Sequence, residues 1–349
     1  MVTKTFKILV SGSAHKMYPS DTLYGLLWYD QDKAIEIPKR YPYSGEWGEI
    51  LSIQSLINEE YPMPQQLDVI WLSIVERKFY AIQVDLPTAG LEAVWTTYNE
   101  FSDFPYTHIV VGLAPYGGVA LWFRGLKKSI FLLWMQAVEV NVEMSNFVPA
   151  NPNISLGEYC DFYINKDTVV RNNLKKNGLP SHNLFDKYMQ QFCYRYLPIF
   201  ERWSDGKGEK LTERGCIPEL DYIEEALYDG THDKLRDGSL LKYHTAGKPK
   251  KMTLAWHVSK SEYTAHLWFD ENLICAVYDR FYGAHRDTNA DLLIHIDYEH
   301  RKYELSLYRY GLKEPLRIPE DAYQIIVFKN KFEDYRSDNY DQPRGAWIW

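Results

Sequence analysis

Two stretches of the chain, residues 67–125 and 256–311, have similar patterns, and this similarity constrains the fold more than any other feature of the sequence. In the first third of the earlier stretch, apolar and polar residues alternate, which predicts a pair of half-buried strands. Apolar runs follow at 108–113 and 119–123, and the turn-prone residues between them predict a hairpin. We therefore expect the chain to fold around paired β-strands.

The spacing between matching positions of the two stretches is almost constant. It is 185 residues for two pairs of landmarks and 186 for a third, namely Trp71 and Trp256, Asp85 and Asp270, and Gly125 and Gly311. Constant spacing predicts an internal duplication, with a second copy of the repeat core at residues 252–316. The alternative is chance, because short strand-turn-strand units resemble one another in a chain with 28 Tyr and 11 Trp.

A length of 349 residues exceeds what one hydrophobic core usually holds, so we predict two domains. The segment 147–156, rich in Pro and Asn, is the best candidate for a linker. The predicted domains are an N-terminal β-rich lobe at 1–150 and a C-terminal lobe at 151–349. The predicted fold class is α+β and β-rich: two tandem antiparallel sheet or sandwich lobes with one amphipathic helix between them.

That amphipathic helix is predicted at residues 181–203, where apolar residues recur at spacings of three and four. Its apolar side consists of Leu184, Phe185, Tyr188, Met189, Phe192, Tyr196, Phe200 and Trp203. Such a stripe is far more often core packing than a cofactor site. Shorter helices are predicted at 44–60 and 219–228, and a strand at 323–328. The terminal residues 347–349, Trp-Ile-Trp, are expected to dock on the body of the protein.

The formal net charge of −8 argues against nucleic acid as a partner. Binding to phosphates needs a cationic surface that displaces counterions, and the Lys groups of this chain are short and isolated. A negative surface instead suits a basic protein partner, or simply solubility. The four cysteines form no CxxC pair, which excludes the common zinc signatures.

The sequence has no run of 18 apolar residues, so we expect no membrane span. The chain as numbered also lacks the long apolar segment of a signal peptide, which predicts a soluble, cytoplasmic protein. If a signal segment was removed from it, an envelope lipoprotein is the expectation instead. Oligomeric state stays open.

Sequence motifs for common enzymes are missing. The patterns GxxxxGK[ST], GxGxxG, HExxH and GxSxG do not occur, so nucleotide binding, zinc proteolysis and serine hydrolysis have no support. We expect no cofactor and no catalytic residues, and we favour a protein without enzymatic activity.

One polar cluster near the C-terminus could hold a metal ion. It consists of His285, Asp287, Asp291, His295, Asp297 and His300. On a strand, His295 and Asp297 would share a face, and a His and a carboxylate two residues apart can bind one metal. His285, His295 and Asp297 are therefore weak candidates for ligands. The alternative, which we favour, is a solvated strand face with a turn of Asp residues.

The densest acidic stretch is the candidate for binding a partner. It contains Glu219, Asp221, Glu224, Glu225, Asp229 and Asp233. These carboxylates predict either a docking surface for a basic protein or, more often for such a run, a solvated helix face.

Around the first repeat the chain resembles a bacterial family known as domain of unknown function 2931. The motifs that carry the resemblance are Trp71-Leu72-Ser73, Glu76, Lys78-Phe79-Tyr80, Leu86-Pro87, Val111-Gly112-Leu113-Ala114-Pro115 and Gly118 to Trp122. The first half resembles the family best and the second half only loosely, because the second copy lacks the Leu-Pro and Gly-Leu-Ala-Pro segments. The resemblance implies no catalytic residues. Members of the family are often predicted lipoproteins, whereas this sequence has no lipobox.

These features favour a non-enzymatic, protein-binding protein. The sharpest form of that hypothesis is an immunity protein that occludes the active site of a basic antibacterial toxin, with Trp and Tyr as anchors and carboxylates that steer the toxin. The alternative is a glycan-binding or glycan-processing protein with exposed aromatic platforms beside two carboxylates. A third hypothesis is a metal-dependent hydrolase around His285, His295 and Asp297.

Overall fold

The structure is a computed structural model and describes residues 4–39, 42–52, 59–102, 104–201, 203–204, 210–211, 218–236, 241–258, 260–283, 285–297, 300 and 302–331. The chain divides into two compact units. Unit 1 consists of Met1–Met189 and Asp229–Thr231, and unit 2 of Gln190–Tyr228 and His232–Trp349. Strands outnumber helices in both units, which confirms the predicted β-rich α+β class.

The described strands of unit 1 form two sheets. They are β1 (Leu9–Ser13), β2 (Ser20–Asp30), β3 (Lys33–Glu36), β4 (Gln66–Ser73), β5 (Lys78–Asp85), β6 (Tyr106–Leu113), β7 (Gly118–Gly125), β8 (Ser129–Gln136) and β9 (Val138–Val140). One sheet has the order β1-β6-β7-β8, and in it β1 runs parallel to β6. The other has the order β3-β2-β4-β5-β9 and is antiparallel. The predicted strand pair and hairpin are confirmed as β4-β5 and β6-β7.

The helices of unit 1 are α1 (Thr88–Phe101), α2 (Met144–Phe147), α3 (Leu156–Lys166), α4 (Thr168–Asn177) and α5 (Leu184–Tyr188). Ser155 begins α3 with a capping box: its hydroxyl accepts from the Glu158 N–H, and the Glu158 carboxylate accepts from the Ser155 N–H. The segment predicted as a linker therefore connects α2 to α3 inside unit 1. The compact unit continues to Met189, beyond the boundary at 150 that the sequence suggests.

The core of unit 1 lies between its two sheets. Leu67, Val69 and Trp71 alternate along β4, and all three side chains are fully buried because successive strand residues point to opposite faces. They belong to one apolar cluster with residues of β1, β6 and β7 from the other sheet and with Leu91 and Trp95 of α1. The amphipathic α1 thus closes one side of the core.

The described strands of unit 2 also form two main sheets. They are β10 (Phe192–Phe200), β11 (Trp203–Ser204), β12 (Lys210–Leu211), β13 (Glu219–Leu227), β14 (His232–Arg236), β15 (His244–Ala246), β16 (Pro249–Val258), β17 (Ser261–Phe269), β18 (Ala290–Ile296), β19 (Tyr303–Tyr308), β20 (Leu316–Arg317) and β21 (Tyr323–Lys331), with helix α6 (Glu271–Tyr282) after β17. One sheet has the order β15-β10-β18-β19-β20. In the other, β14, β13, β16, β17 and β21 are neighbours in that order.

Apart from β15, which has no counterpart among the described strands of unit 1, the strands in the main sheets of the two units follow the same order. In unit 2, β10 runs parallel to β18, which continues through β19 to β20, as β1 runs parallel to β6 and continues through β7 to β8. The antiparallel order β14-β13-β16-β17-β21 likewise matches β3-β2-β4-β5-β9. Helix α6 follows β17 as α1 follows β5. Such a match is what a duplication would produce, and common descent of the units stays a prediction.

A buried Trp-Tyr pair lies at the same place in each unit. Trp71 of β4 is paired in register with Tyr80 of β5, and Trp256 of β16 with Tyr263 of β17. The ring centroids are 5.6 Å apart in the first pair and 5.4 Å apart in the second. The landmark tryptophans of the sequence therefore have the same role in both cores.

The helix predicted at 181–203 is wrong. The structure has only the short α5 in its first part and strand β10 in the rest. A spacing of four residues, as between Phe192, Tyr196 and Phe200, suits one face of a strand as well as one face of a helix. Tyr194, which lies between the first two, is also fully buried, and that alternation is typical of a strand. Among the described residues of 181–203, the five residues of α5 are therefore the only helical ones.

The structure also differs from the prediction in the segments of the two shorter helices. The segment 219–228 forms strand β13, in which Ile223, Glu225 and Leu227 alternate as buried residues. In the segment 44–60, the described residues 44–52 form bends and turns, and 53–58 lie outside the described residues. The strand predicted at 323–328 is confirmed as part of β21. The terminal 347–349 lies outside the described residues.

A buried carboxyl group links α3 to the sheet of β2 in unit 1. Asp21 of β2 is fully buried, and its Oδ2 accepts a hydrogen bond of 2.5 Å from the Tyr159 hydroxyl of α3. Its Oδ1 has no hydrogen-bond partner among the described residues. Burial raises the pKa of Asp21 from 3.8 to about 7, although the bond from Tyr159 and the charge of Lys39 act in the opposite direction.

Replacing Asp21 by Asn should make unit 1 more stable at alkaline pH. The folded-state pKa lies above the unfolded one, so ionisation of Asp21 opposes folding, and stability is lost as the pH rises from about 4 to 7. The loss from this group is on the order of 4 kcal/mol at most. Chemical denaturation at pH 4 and pH 8 should show a smaller pH dependence in Asp21→Asn than in the wild type. The exposed Asp32→Asn is the control, and an equal effect of both variants would contradict this account.

Candidate functional site

Unit 2 contains an open cleft with aromatic and charged walls. Its volume is about 490 Å³, and it is lined by Tyr243, Asp287, Thr288, Asn289, Asp291, Tyr308, Arg309 and Tyr310. The residues come from the start of β18, the end of β19 and the segment before β15. Tyrosine and arginine are the residue types that most often dominate binding energy at protein surfaces. This cleft is the candidate functional site.

Strand register brings three of the polar residues around the cleft into one row. Arg195 of β10 is paired with Asp291 of β18, and Asp291 is paired with Tyr308 of β19. Side chains of directly paired residues point to the same face of a sheet. On the opposite face, Tyr194 and Tyr196 are fully buried in the core. The row is therefore fixed by the same strands that build the core of unit 2.

Asp291 is the centre of a network that orders one wall of the cleft. Its Oδ1 accepts a hydrogen bond of 2.7 Å from Arg195 Nε and one of 2.9 Å from the Tyr243 hydroxyl. The guanidinium of Arg195 also lies 4.6 Å from the centroid of the Tyr243 ring. The bond to Asp291 raises the pKa of Arg195, so the guanidinium stays charged at neutral pH. Tyr243 is consequently held before any ligand arrives.

The opposite wall carries the aromatic residue that is most exposed in the described part of the chain. Tyr310 is 97% exposed, and it belongs to a tight turn in which the Leu312 N–H donates to the Arg309 carbonyl oxygen. Gly311 has a φ of 92° in this turn, a conformation that glycine adopts without strain. The guanidinium of Arg309 lies 5.3 Å from the Phe281 ring centroid of α6. The turn therefore presents a tyrosine and an arginine side by side.

The polar cluster predicted as a metal site is divided by the structure. Asp287 and Asp291 line the cleft, whereas His295 lies further along β18, opposite Glu304. Asp297 closes a turn, in which its side chain accepts from the Lys302 N–H.

The histidines at the two ends of this cluster lie in different surroundings. His285 is exposed, and His300 is buried with its ring 4.5 Å from that of Tyr263. Within the described part of the chain, no three His, Cys, Asp or Glu side chains lie close enough together to hold a metal ion.

Most of the predicted acidic docking residues have partners inside unit 2. Glu219 and Asp221 lie 3.5 and 2.9 Å from the ring nitrogens of His257. Glu224 lies 3.3 Å from His232 Nε2 and 3.5 Å from Lys234 Nζ. The Asp233 carboxylate accepts from the N–H of Lys234.

Two of the six predicted docking residues are buried. Asp229, in the tripeptide that belongs to unit 1, is fully buried, and Glu225 is 2% exposed. Glu225 accepts a hydrogen bond from the Tyr196 hydroxyl and lies 3.7 Å from His244 Nε2. Burial is the largest single effect on the pKa of His244 and lowers it, but the interactions with Glu225, the Lys242 carbonyl and Asp233 together outweigh burial, so the net shift is upward. The carboxylates of Glu225 and Asp229 therefore lie in the interior as the structure stands.

Unit 1 has a second open cleft, of about 600 Å³, between the β2-β3 turn and the residues before β4. Its carboxylates are occupied locally: Glu59 accepts from the Tyr61 hydroxyl and Glu60 from the Thr5 hydroxyl. The cleft of unit 2 is therefore the better candidate, since its second wall has polar groups free to meet a ligand.

Sequence reasoning found only the two aspartates of the site. Arg195 lay inside the segment predicted as a helix, and Tyr308, Arg309 and Tyr310 belong to the second repeat but carry no motif. The one usable indication was Gly311, a landmark of the repeat, because glycine next to an aromatic residue is typical of an exposed turn.

Comparison with known families identifies the first half of the chain. Residues 10–181 match the family described as "Protein of unknown function (DUF2931)". This confirms the resemblance over almost all of unit 1. No curated protein and no solved structure matches the chain. Among the described helices, none is long and apolar enough to cross a membrane.

The role of Asp291 in ordering the cleft can be tested by stability. Asp291→Asn leaves the partly buried Arg195 without its ionic partner, and we expect a loss of about 1–3 kcal/mol in the free energy of unfolding. Asp287→Asn is the control, because Asp287 is exposed and should change stability by no more than about 0.5 kcal/mol. Urea denaturation of both variants would measure the difference. Equal values would show that the network contributes nothing.

Proposed function

We propose that this protein acts by binding another protein through the cleft of unit 2. The observation that carries the proposal is the network of Arg195, Asp291 and Tyr243, which holds an aromatic wall in place beside the exposed Tyr310. A side chain that is already ordered loses less conformational entropy when a partner binds. Tyrosine adds a large apolar area and a polar tip, which suits a surface that must be soluble alone and buried in a complex.

The net charge points to the kind of partner. At −8 the chain attracts cationic proteins over a distance set by ionic strength, which raises their rate of association. The absence of common catalytic motifs fits a protein that works through occupancy. The specific form that we propose is an immunity protein, which binds a basic antibacterial toxin one to one and blocks its active site.

Co-expression tests this function directly. The protein encoded beside this chain in its genome should arrest growth when produced alone, and production of this chain should restore growth. A stoichiometric complex of the two should be seen in size-exclusion chromatography, with weaker association at high salt. Growth arrest that this chain does not relieve would overturn the immunity hypothesis.

Tyr310→Ala should weaken that complex by about tenfold or more, because truncation of a central tyrosine typically removes at least 2 kcal/mol of binding free energy. Its 97% exposure predicts no measurable change in stability. Leu126→Ala is the matched control, since Leu126 is 81% exposed but lies in unit 1. Isothermal titration calorimetry of both variants would measure the change. If the control lost as much affinity as Tyr310→Ala, the cleft would not be the binding site.

A glycan is the second candidate partner, favoured by the same lining. Three tyrosines lie beside Asp287 and Asp291, and aromatic rings with neighbouring carboxylates are chemically suited to the faces and hydroxyl groups of sugars. A glycan array with the wild type and with Tyr310→Ala tests it. A signal that depends on Tyr310, together with failure of the growth assay, would favour the glycan over the toxin.

A further inference from the structure

Arg309 is the one cation that lines the cleft, and no charged group in the described part of the chain forms an ion pair with it. The cationic partner of Asp291 is Arg195, which leaves Arg309 uncompensated. Asp287, the other carboxylate of the lining, forms no ion pair with Arg309 at 4.0 Å or less. The guanidinium of Arg309 packs on the Phe281 ring instead.

One nitrogen of the Arg309 guanidinium is buried without a hydrogen-bond partner in the described part of the chain, which costs free energy in the unbound protein. Its Nη1 is shielded from solvent and has no hydrogen-bond partner among the described residues. Buried donors are almost always paired in folded proteins, and an unpaired one loses its hydration without compensation. Arg309 also lines the cleft, so its charge, which no carboxylate of the described residues neutralises, is available to an acceptor from outside the chain.

The neighbouring groups indicate which acceptor would fit. Thr288 and Asn289 line the same cleft, as does the hydroxyl of Tyr308, and each of these can donate a hydrogen bond. The fork of a guanidinium matches the two oxygens of a carboxylate, so that two parallel bonds form. The Phe281 ring, 5.3 Å from the guanidinium, is an apolar neighbour that offers the Arg309 charge no counter-charge.

We propose that Arg309 forms an anion subsite in the cleft, which receives an aspartate or glutamate carboxylate of the bound protein. This inference rests on the proposed function for the identity of the ligand, but the subsite itself does not. A positive group in a chain of net charge −8 would also fix the orientation of the partner, because only one part of a basic partner could present an acid there.

Small probes test the subsite with the full chain and without the partner. The probes are N-acetylglutamate α-amide, its neutral analogue N-acetylglutamine α-amide, glucuronate and inorganic phosphate, titrated at low ionic strength and observed by NMR. The glutamate probe should bind, and the glutamine analogue should bind at least about fivefold more weakly, because it lacks the charge. Equal binding of these two, or no binding of the glutamate probe, would overturn the subsite. Tighter binding of glucuronate or phosphate would overturn its assignment to a protein carboxylate.

Substitutions of Arg309 test whether binding of the glutamate probe depends on this residue. Arg309→Gln should reduce binding of the glutamate probe by about fivefold or more, and Arg309→Lys should keep part of it, because lysine retains the charge without the fork. Arg280→Gln is the matched control, since Arg280 is an exposed residue of α6 that does not line the cleft. Circular dichroism would verify that each variant is folded. Unchanged binding in both Arg309 variants, or an equal loss in Arg280→Gln, would overturn the proposal.

These results separate the subsite from the proposed function. Probe binding that depends on Arg309, combined with a chain that gives no protection in the growth assay, would leave the subsite standing and remove the toxin. Protection that is retained by Arg309→Gln, in a chain whose probe binding is lost, would keep the function and exclude the subsite from it.

Discussion

Strand β10 pairs with β18 on one side and with β15 on the other, and the geometry of the unit 2 cleft follows from these two pairings. The first puts Arg195 next to Asp291, and the second puts Tyr194 next to His244, whose neighbour in the chain is Tyr243. Because strand residues alternate between faces, the core receives the Tyr194 side chain while the cleft receives the Arg195 network. One strand therefore builds the interior and the candidate site together.

The sequence predicts an element correctly where its local apolar pattern fits only the secondary structure that the tertiary contacts also favour. Along β4 the alternation of Leu67, Val69 and Trp71 is unambiguous, and the strand lies where it is predicted. In β10 the apolar positions four apart fitted two kinds of structure, and the decision came from β18, a strand almost a hundred residues further on. A single sequence contains no information about such a partner, so propensity was overruled by pairing.

The same reasoning explains why the site was found only in part. Clustered acids are visible in a sequence, yet whether each acid faces water depends on the strand that carries it. Glu225 points into the core and meets Tyr196, while Asp291 meets Arg195, 96 residues away in the chain. Most acids of the dense stretch 219–233 thus have partners within unit 2. The charged groups that define the candidate site are instead few and far apart in the sequence.

Compensation of charge also distinguishes Arg309, which lines the cleft, from Arg195, which holds two of the lining residues in place. Arg195 already has an ionic partner and an aromatic contact in the unbound protein. Its role is to keep the neighbouring Asp291 and Tyr243 in fixed positions. Arg309 has an apolar ring beneath it and a donor without an acceptor. A ligand gains little from a group that is already satisfied and more from one that is not, because Nη1 of Arg309 has already lost its hydration during folding. The cleft therefore combines a fixed wall for shape with one unsatisfied cation for selectivity.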